Sequence, residues 1–445
     1  MDYLVESRVK ELIEQRRWDL LREYVGEVPA PDLADFLTQL KKSDRILLFS
    51  SLPRELSTDV FASLEPNQKD ELLKALTDDE TRQLLADLPP DERTMLLEDL
   101  PGQATQRVLN LLNREDLEEA RLLLGYPEES VGRLMTPDYV AVRPHWTVEQ
   151  ALQHIRARGR ESETISIIYV VDDNWHLLNS LFVEDIILAE LNERIENLID
   201  RGVVSLYALD DREEAVRIME RYDLPVLPVT DADGVLLGIV TVDDVLDVAI
   251  EEATEDFQKS AAIAPLGISY REASIGSLYL KRIGWLLALV FVNLVSSSII
   301  AVYEELLAAT IALAFFIPLL IDTGGNTGAQ AASLMIRALA TGDIALRDWL
   351  RTVGKELAEG IMLGITMGIA AFLLGFVRGG TEVALVVGLT MIALVIVANI
   401  VGIVLPFLLT RFGLDPAVAS SPLITTVVDA VGLLIYFSIA TTVLG

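Results

Sequence analysis

The chain has no cysteine among its 445 residues, which excludes disulfides and thiolate metal sites. Its three histidines, His145, His154 and His176, are too scattered to suggest a zinc cluster. Basic residues are few: 36 Lys+Arg stand against 67 Asp+Glu, a formal net charge of -31 at pH 7. A nucleic-acid partner wants the opposite sign. No phosphate-binding loop or other nucleotide-hydrolysis motif is evident, and no catalytic constellation appears, so an enzyme is not expected. The opening stretch MDYLVESRVKELIEQ is charged and amphipathic and lacks a signal-type apolar run, so the front of the chain is expected in the cytoplasm.

The acidity is unevenly placed. Residues 1–270 hold 56 Asp+Glu against 27 Lys+Arg, and the remaining 175 residues are nearly neutral and mostly apolar. An acidic surface of that kind favours cations, divalent ones above all. Residues 1–130 read as an all-α domain with an internal period. Leu52-Pro53, Leu64-Glu65-Pro66, Leu76-Thr77, Leu88-Pro89, Leu100-Pro101 and Leu112-Asn113 fall on one 12-residue beat. Each unit is a short amphipathic helix and a turn, and stacked units predict a superhelix. Its plainest role is scaffolding or docking.

Residues 131–250 contain one pattern twice: strand, amphipathic helix, β-branched strand, Asp-containing turn, strand, helix. The central strands are Ile167–Val171 and Leu224–Val229, and the turns hold Asp172-Asp173-Asn174 and Asp231-Ala232-Asp233-Gly234. With LMTP at 134–137 and GIVTVDDVLDV at 238–248, this resembles a tandem pair of CBS domains, α+β regulatory modules that often sense a ligand. Residues 251–275 read as a connecting helix and linker. Residues 276–445 form a transmembrane domain of five helices, near 282–303, 306–338, 353–378, 382–410 and 417–443. Lys281, Arg282, Arg337, Arg347, Arg351, Lys355 and Arg411 mark the cytosolic loops. Five spans then place the C-terminus outside.

Two features of this part point to chemistry. Asp429 stands alone inside an apolar span, where an ionised side chain costs at least ~2.5–3.5 kcal/mol. In the second span Gly324, Gly325 and Gly328 lie among Asp322, Asn326 and Gln330. Glycines there either break the helix where it lines a water-filled cavity or permit close helix packing. The carboxylate and amide neighbours favour the break and a pore.

GGNTGAQ at 324–330 and LDPAVASSPLITTVVDAVGLLIYF at 414–437, behind a CBS pair and a helical front domain, resemble the MgtE family of magnesium channels over the whole chain. The resemblance implies a homodimer in a prokaryotic plasma membrane, with Asp429 holding the ion beside its mate. Gly325, Asn326, Gly328, Thr425 and Thr426 would line the pore. It also implies regulatory magnesium at Asp59, Asp91, Asp211, Glu213, Asp223, Asp244, Asp247, Glu252, Glu255, Asp256 and Asp415. Ions at these acids would draw the cytosolic domains together and close the pore. The chain departs from the pattern at Ser421, where some relatives carry Asn, and at Met95, where an acid would strengthen the site of Asp91. Glu252, Glu255 and Asp256 share a helical face, an arrangement that is destabilising unless a cation screens it. For any single acid the alternative is a solvated surface. CBS pairs also take adenine nucleotides, and Tyr169 and Asp185 match, but these residues fit ordinary packing equally well. The rival functions are a less selective transporter of manganese, cobalt or calcium, and a membrane-anchored magnesium sensor.

Overall fold

The computed structural model describes residues 9–444 except positions 10, 13, 14, 16, 27, 200, 201, 269 and 272. It divides into two compact units, Met1–Ala249 and Ile250–Gly445.

The front of the first unit is all helical. Helices Arg54–Ala62, Pro66–Ala75, Asp78–Asp87, Pro90–Asp99, Gly102–Leu111 and Arg114–Leu123 begin every 12 residues. Proline opens several of them, where its missing N–H costs nothing. Thr77 and Glu80 form a capping box, and Asn113 caps the last. Helices this short are marginal alone. They persist because each beat buries the same positions: Val60, Leu72, Leu84, Leu96 and Val108, then Leu64, Leu76, Leu88 and Leu100 at the turns. Each helix packs on the next but one. A second repeat lies in the arginines. Arg45 donates to the carbonyls of Leu37 and Leu40 and pairs with Glu71. Arg93 does the same four units later with Leu85, Leu88 and Glu119. Each guanidinium satisfies the open end of a preceding helix.

The rest of this unit holds two three-stranded sheets of identical plan. In each, a short first strand runs parallel to the middle strand, and the third runs antiparallel to it. Both carry a bulge at the same place, at Val170/Val171 and at Val229/Thr230. Ile167, Tyr169, Val171, Val226, Leu236 and Ile239 join the two halves in one core. The helix Val242–Ser260 continues directly from the second sheet, so the connecting helix starts before the expected linker.

Among its described residues the membrane unit has four helices long and apolar enough to span a bilayer, Ile275–Val302, Ile311–Ala340, Leu346–Arg411 and Ser421–Leu444. The third would be roughly 95 Å long if straight, about three times a bilayer core. It is not straight. Gly380 has φ 78° and ψ -171°, a conformation open to glycine, and the chain doubles back there. Two arms then run side by side, which makes five traverses. Glycines on the first arm set the closeness. A Cβ at Gly375 would lie 2.7 Å from the Ala384 Cα, one at Gly368 3.0 Å from the Gly388 carbonyl, and one at Gly364 3.0 Å from the Ile392 carbonyl.

The expected glycine break in the second span is absent. Ile317–Ala340 is one continuous helix, and the interruption comes earlier, at Thr310 before the 3-10 turn Ile311–Phe316. Gly324, Gly325 and Gly328 are buried. They let Leu394, Val428, Thr425 and Ile424 approach the helix backbone, with a Cβ at Gly325 falling 2.7 Å from the Thr425 methyl. In lipid such close packing leaves every backbone hydrogen bond intact, so a break gains nothing.

Gly375→Leu is expected to destabilise the detergent-solubilised protein by ~1–3 kcal/mol, because backbone rather than a flexible side chain faces it. Leu374→Ala, at an exposed position, should leave the melting temperature nearly unchanged.

Candidate ion-binding sites

Asp429 sits two turns into the last helix, one turn beyond Thr425. It is half-buried, and its Oδ1 is shut away without a hydrogen-bond partner. A secluded acceptor with no donor calls for a ligand or water. Thr425 and Thr426 donate to the Ser421 and Pro422 carbonyls at 2.8 Å, so their lone pairs stay free to accept. Thr425 is part-exposed beside Gly325, whereas Thr426 is buried in the helix contact. Asn326 is exposed. Gly325 and Gly328 are therefore used for packing within the chain, and Asn326 and Thr425 keep a face for other contacts.

Glu252, Glu255 and Asp256 lie on the connecting helix, with Asp415 in the turn before the last helix. Here the structure supplies a group that the sequence reading missed. The Lys259 ammonium lies 2.6 Å from Asp415 Oδ2 and also pairs with Glu255. Burial opposes its charge, but these hydrogen bonds outweigh burial and hold it above the usual lysine range. Asp415 also accepts from the Ala417 amide at 2.7 Å. Burial, then the Asp415 charge, pushes Asp256 up.

In the first unit Asp91 is 4 % exposed, with Oδ1 unpartnered. Burial first, then the charges of Asp244 and Glu163, push its carboxyl up to about 8. Asp244 accepts from the Thr241 hydroxyl at 2.8 Å. Burial nonetheless takes it up to about 7, with Asp243, Glu92 and Glu163 adding to the rise. Burial also raises Glu92, which has Lys69 nearby as partial compensation and feels Asp247 and Asp243. Glu163, again by burial and then by Asp243, is raised as well. Asp91, Asp244 and Asp247 are thus brought together with three acids that sequence reasoning missed, Glu92, Glu163 and Asp243. Among the described residues no three carboxylates or imidazoles come close enough to hold one ion.

The remaining acids are not gathered. Asp59 is exposed on Arg54–Ala62. Asp211 caps the helix Arg212–Tyr222, accepting from the Glu213 amide at 2.9 Å, and Asp223 ends it in a left-handed conformation. An 11-residue helix separates them by roughly 16 Å, so Asp211 and Asp223 do not share an ion within one chain.

Three family models divide the chain: the MgtE intracellular N domain at residues 28–129, CBS domains at 131–192 and 195–251, and the divalent cation transporter MgtE at 317–439. The chain is 45% identical over 335 residues to the magnesium transporter MgtE of Thermus thermophilus, covering 75% of this chain and 74% of that one. This chain belongs to the MgtE family. It is also 36% identical over 334 residues to the magnesium transporter MgtE of Bacillus subtilis, covering 75% and 74% of the two chains. Among solved structures it resembles the cytosolic domain of the Mg2+ channel MgtE in complex with ATP, with 36% identity, TM-score 0.53, 55% of this chain and 99% of that one. The soluble part of a magnesium transporter matches at 29% identity and TM-score 0.53, over 56% and 98%. Membership accounts for the order of parts: helical front domain, CBS pair and multi-pass membrane domain.

The raised carboxyls fix a pH response. A carboxyl whose folded pKa exceeds its unfolded value binds more protons when folded, so stability falls as pH rises between the two values. For Asp91 and Asp244 that window runs from about 4 to about 8. In metal-free buffer the melting temperature of the first unit's transition should therefore fall between pH 6 and 8.5. Asp91→Asn should flatten the fall.

Proposed function

We propose that this chain forms a homodimeric, magnesium-selective channel of a prokaryotic plasma membrane, closed by magnesium bound to its cytosolic acids. The observation that carries the reading is Asp429, a carboxylate with one secluded, unpartnered oxygen inside the last span of an MgtE-family membrane domain. The transporter names of the 45% and 36% identical relatives support magnesium as cargo.

Magnesium gives up its water reluctantly. A carboxylate from each of two protomers attracts the ion while leaving its hydration shell in place, and Thr425 offers lone pairs to those waters. An unscreened pair of such carboxylates would repel and take up a proton instead. An inside-negative potential favours inward movement by ~2.3 kcal/mol per charge per 100 mV, so a divalent ion needs no coupled energy source. The Lys- and Arg-bearing loops support a cytoplasmic position for the front domains.

Closure follows from the cytosolic acids. Without a cation Asp91, Asp244, Asp247, Glu92, Glu163 and Asp243 repel one another. A divalent ion reverses the sign of that interaction and draws the elements carrying them together. Glu252, Glu255, Asp256 and Asp415 act likewise beside the membrane domain, where Lys259 already supplies one fixed cation. Asp59, Asp211, Glu213 and Asp223 belong to this reading through their match to the family pattern. The CBS pair supports an adenine nucleotide as a second regulator, since a 36% identical cytosolic domain was solved with ATP. In this chain the matching Tyr169 is buried under Tyr139, with its hydroxyl unpartnered.

Proteoliposomes with an internal magnesium dye test the pore. Wild type should take up magnesium, and Asp429→Ala, still dimeric by light scattering, should lose nearly all uptake. Absence of wild-type uptake at low internal magnesium would favour the sensor; competition of manganese, cobalt or calcium with the magnesium flux would favour the less selective transporter. Neutralising Asp244, Asp247, Glu252 and Glu255 together should leave the channel conducting at magnesium concentrations that close wild type. Closure of the quadruple variant at the wild-type concentration would contradict the gating assignment.

A further inference from the structure

The second membrane helix carries a polar face that packing does not explain. Asp322, Asn326, Gln330, Ser333 and Arg337 are all exposed in the protomer. At 100° per residue they fall within an arc of about 80°. The opposite side buries Leu320, Gly324, Gly328, Ala331, Ala332 and Met335 against the protomer's own helices. Among the described residues Asp322 has no hydrogen bond or ion pair. A lipid neighbour for this face is unfavourable, because ionisable groups at bilayer depth face the protein interior or a water-filled cavity.

The packing fixes its depth relative to Asp429. The second and last helices run antiparallel: Gly325 meets Thr425, Gly328 meets Ile424, and Gly324 meets Val428. Asp322 is one turn before Gly325, and Asp429 is one turn after Thr425. In an antiparallel pair those steps go the same way along the axis. Each aspartate is also displaced by only about 40–60° from the contact residue of its own helix. The two carboxylates are therefore level, on neighbouring helices, and the Oδ1 of Asp429 is secluded without a partner.

We propose that Asp322 is a second cation-holding carboxylate of the transport path, at the depth of Asp429, binding a hydrated divalent cation through water. This rests on the reading of Asp429 as an ion-holding residue. With two carboxylates per protomer at one level, the ion meets a ring of acceptors rather than a single pair, and Asn326 and Gln330 continue the polar lining along the helix.

The absence of native cysteine makes the test direct. Full-length Asn326→Cys is reconstituted and its rate of reaction with a membrane-impermeant thiol reagent is measured with and without magnesium. Phe291→Cys, at an exposed apolar position of the first span, is the lipid-facing control. The same label is then followed with Asp322→Asn or Asp429→Asn added, each variant first shown to elute and melt as the parent does. Asn326→Cys is expected to react well above the control and to be protected about tenfold by magnesium at about ten times its apparent dissociation constant. Adding Asp322→Asn should abolish protection. Protection lost with either substitution supports one ion shared by both carboxylates. Protection lost with Asp322→Asn alone leaves Asp322 as a cation-holding carboxylate but overturns the Asp429 reading and the shared level of acceptors that rests on it. Protection lost with Asp429→Asn alone, or labelling no faster than the control, overturns the inference and leaves Asp429 standing. Protection retained by both variants overturns both.

Discussion

A carboxylate withdrawn from water has two stable outcomes: it takes a proton, or it takes a cation. That choice runs through both units. In the first unit burial and like charge push Asp91 and Asp244 toward the protonated form near neutral pH. In the membrane unit Asp429 hides one oxygen without a donor. At Glu255 and Asp415 the structure already supplies a cation of its own, the Lys259 ammonium. A protein built only for stability would pair these acids or replace them with apolar residues. Under the proposed reading a divalent cation gives the remaining sites a single physical purpose.

The scaffold that holds them owes its precision to small residues. Gly364, Gly368 and Gly375 let the two arms of the long hairpin touch backbone to backbone, and Gly324, Gly325 and Gly328 bring the second and last helices equally close. Lipid offers no hydrophobic drive for helices to associate, so contact area and hydrogen bonds must hold them. Tyr436 adds one such bond, donating to the Leu313 carbonyl at 2.9 Å. The depth of Asp429 is thereby set by neighbours rather than by its own helix.

Much of this was legible in the residues. The 12-residue leucine beat became six helices of equal spacing, and the doubled 131–250 pattern became two sheets with matching bulges. The glycines of the second span were misread because a helix break and a close contact use the same residue, and only the neighbours at Thr425, Ile424 and Val428 decide between them. Glu163 and Lys259 escaped notice for a related reason. Each acts on residues far away in the chain, Asp91 and Asp415, and no local pattern announces a long-range charge. The repeated arginines Arg45 and Arg93 leave no such mark, because each is tied to its repeat through backbone carbonyls that any residue carries.

The exchange of proton for cation is open to one direct measurement. Magnesium is titrated into the metal-free protein in weakly buffered solution at pH 7, and released protons are counted. The account predicts proton release that saturates with magnesium binding and shrinks in Asp91→Asn and Asp244→Asn. Magnesium binding without proton release, or release unchanged in both variants, would contradict it.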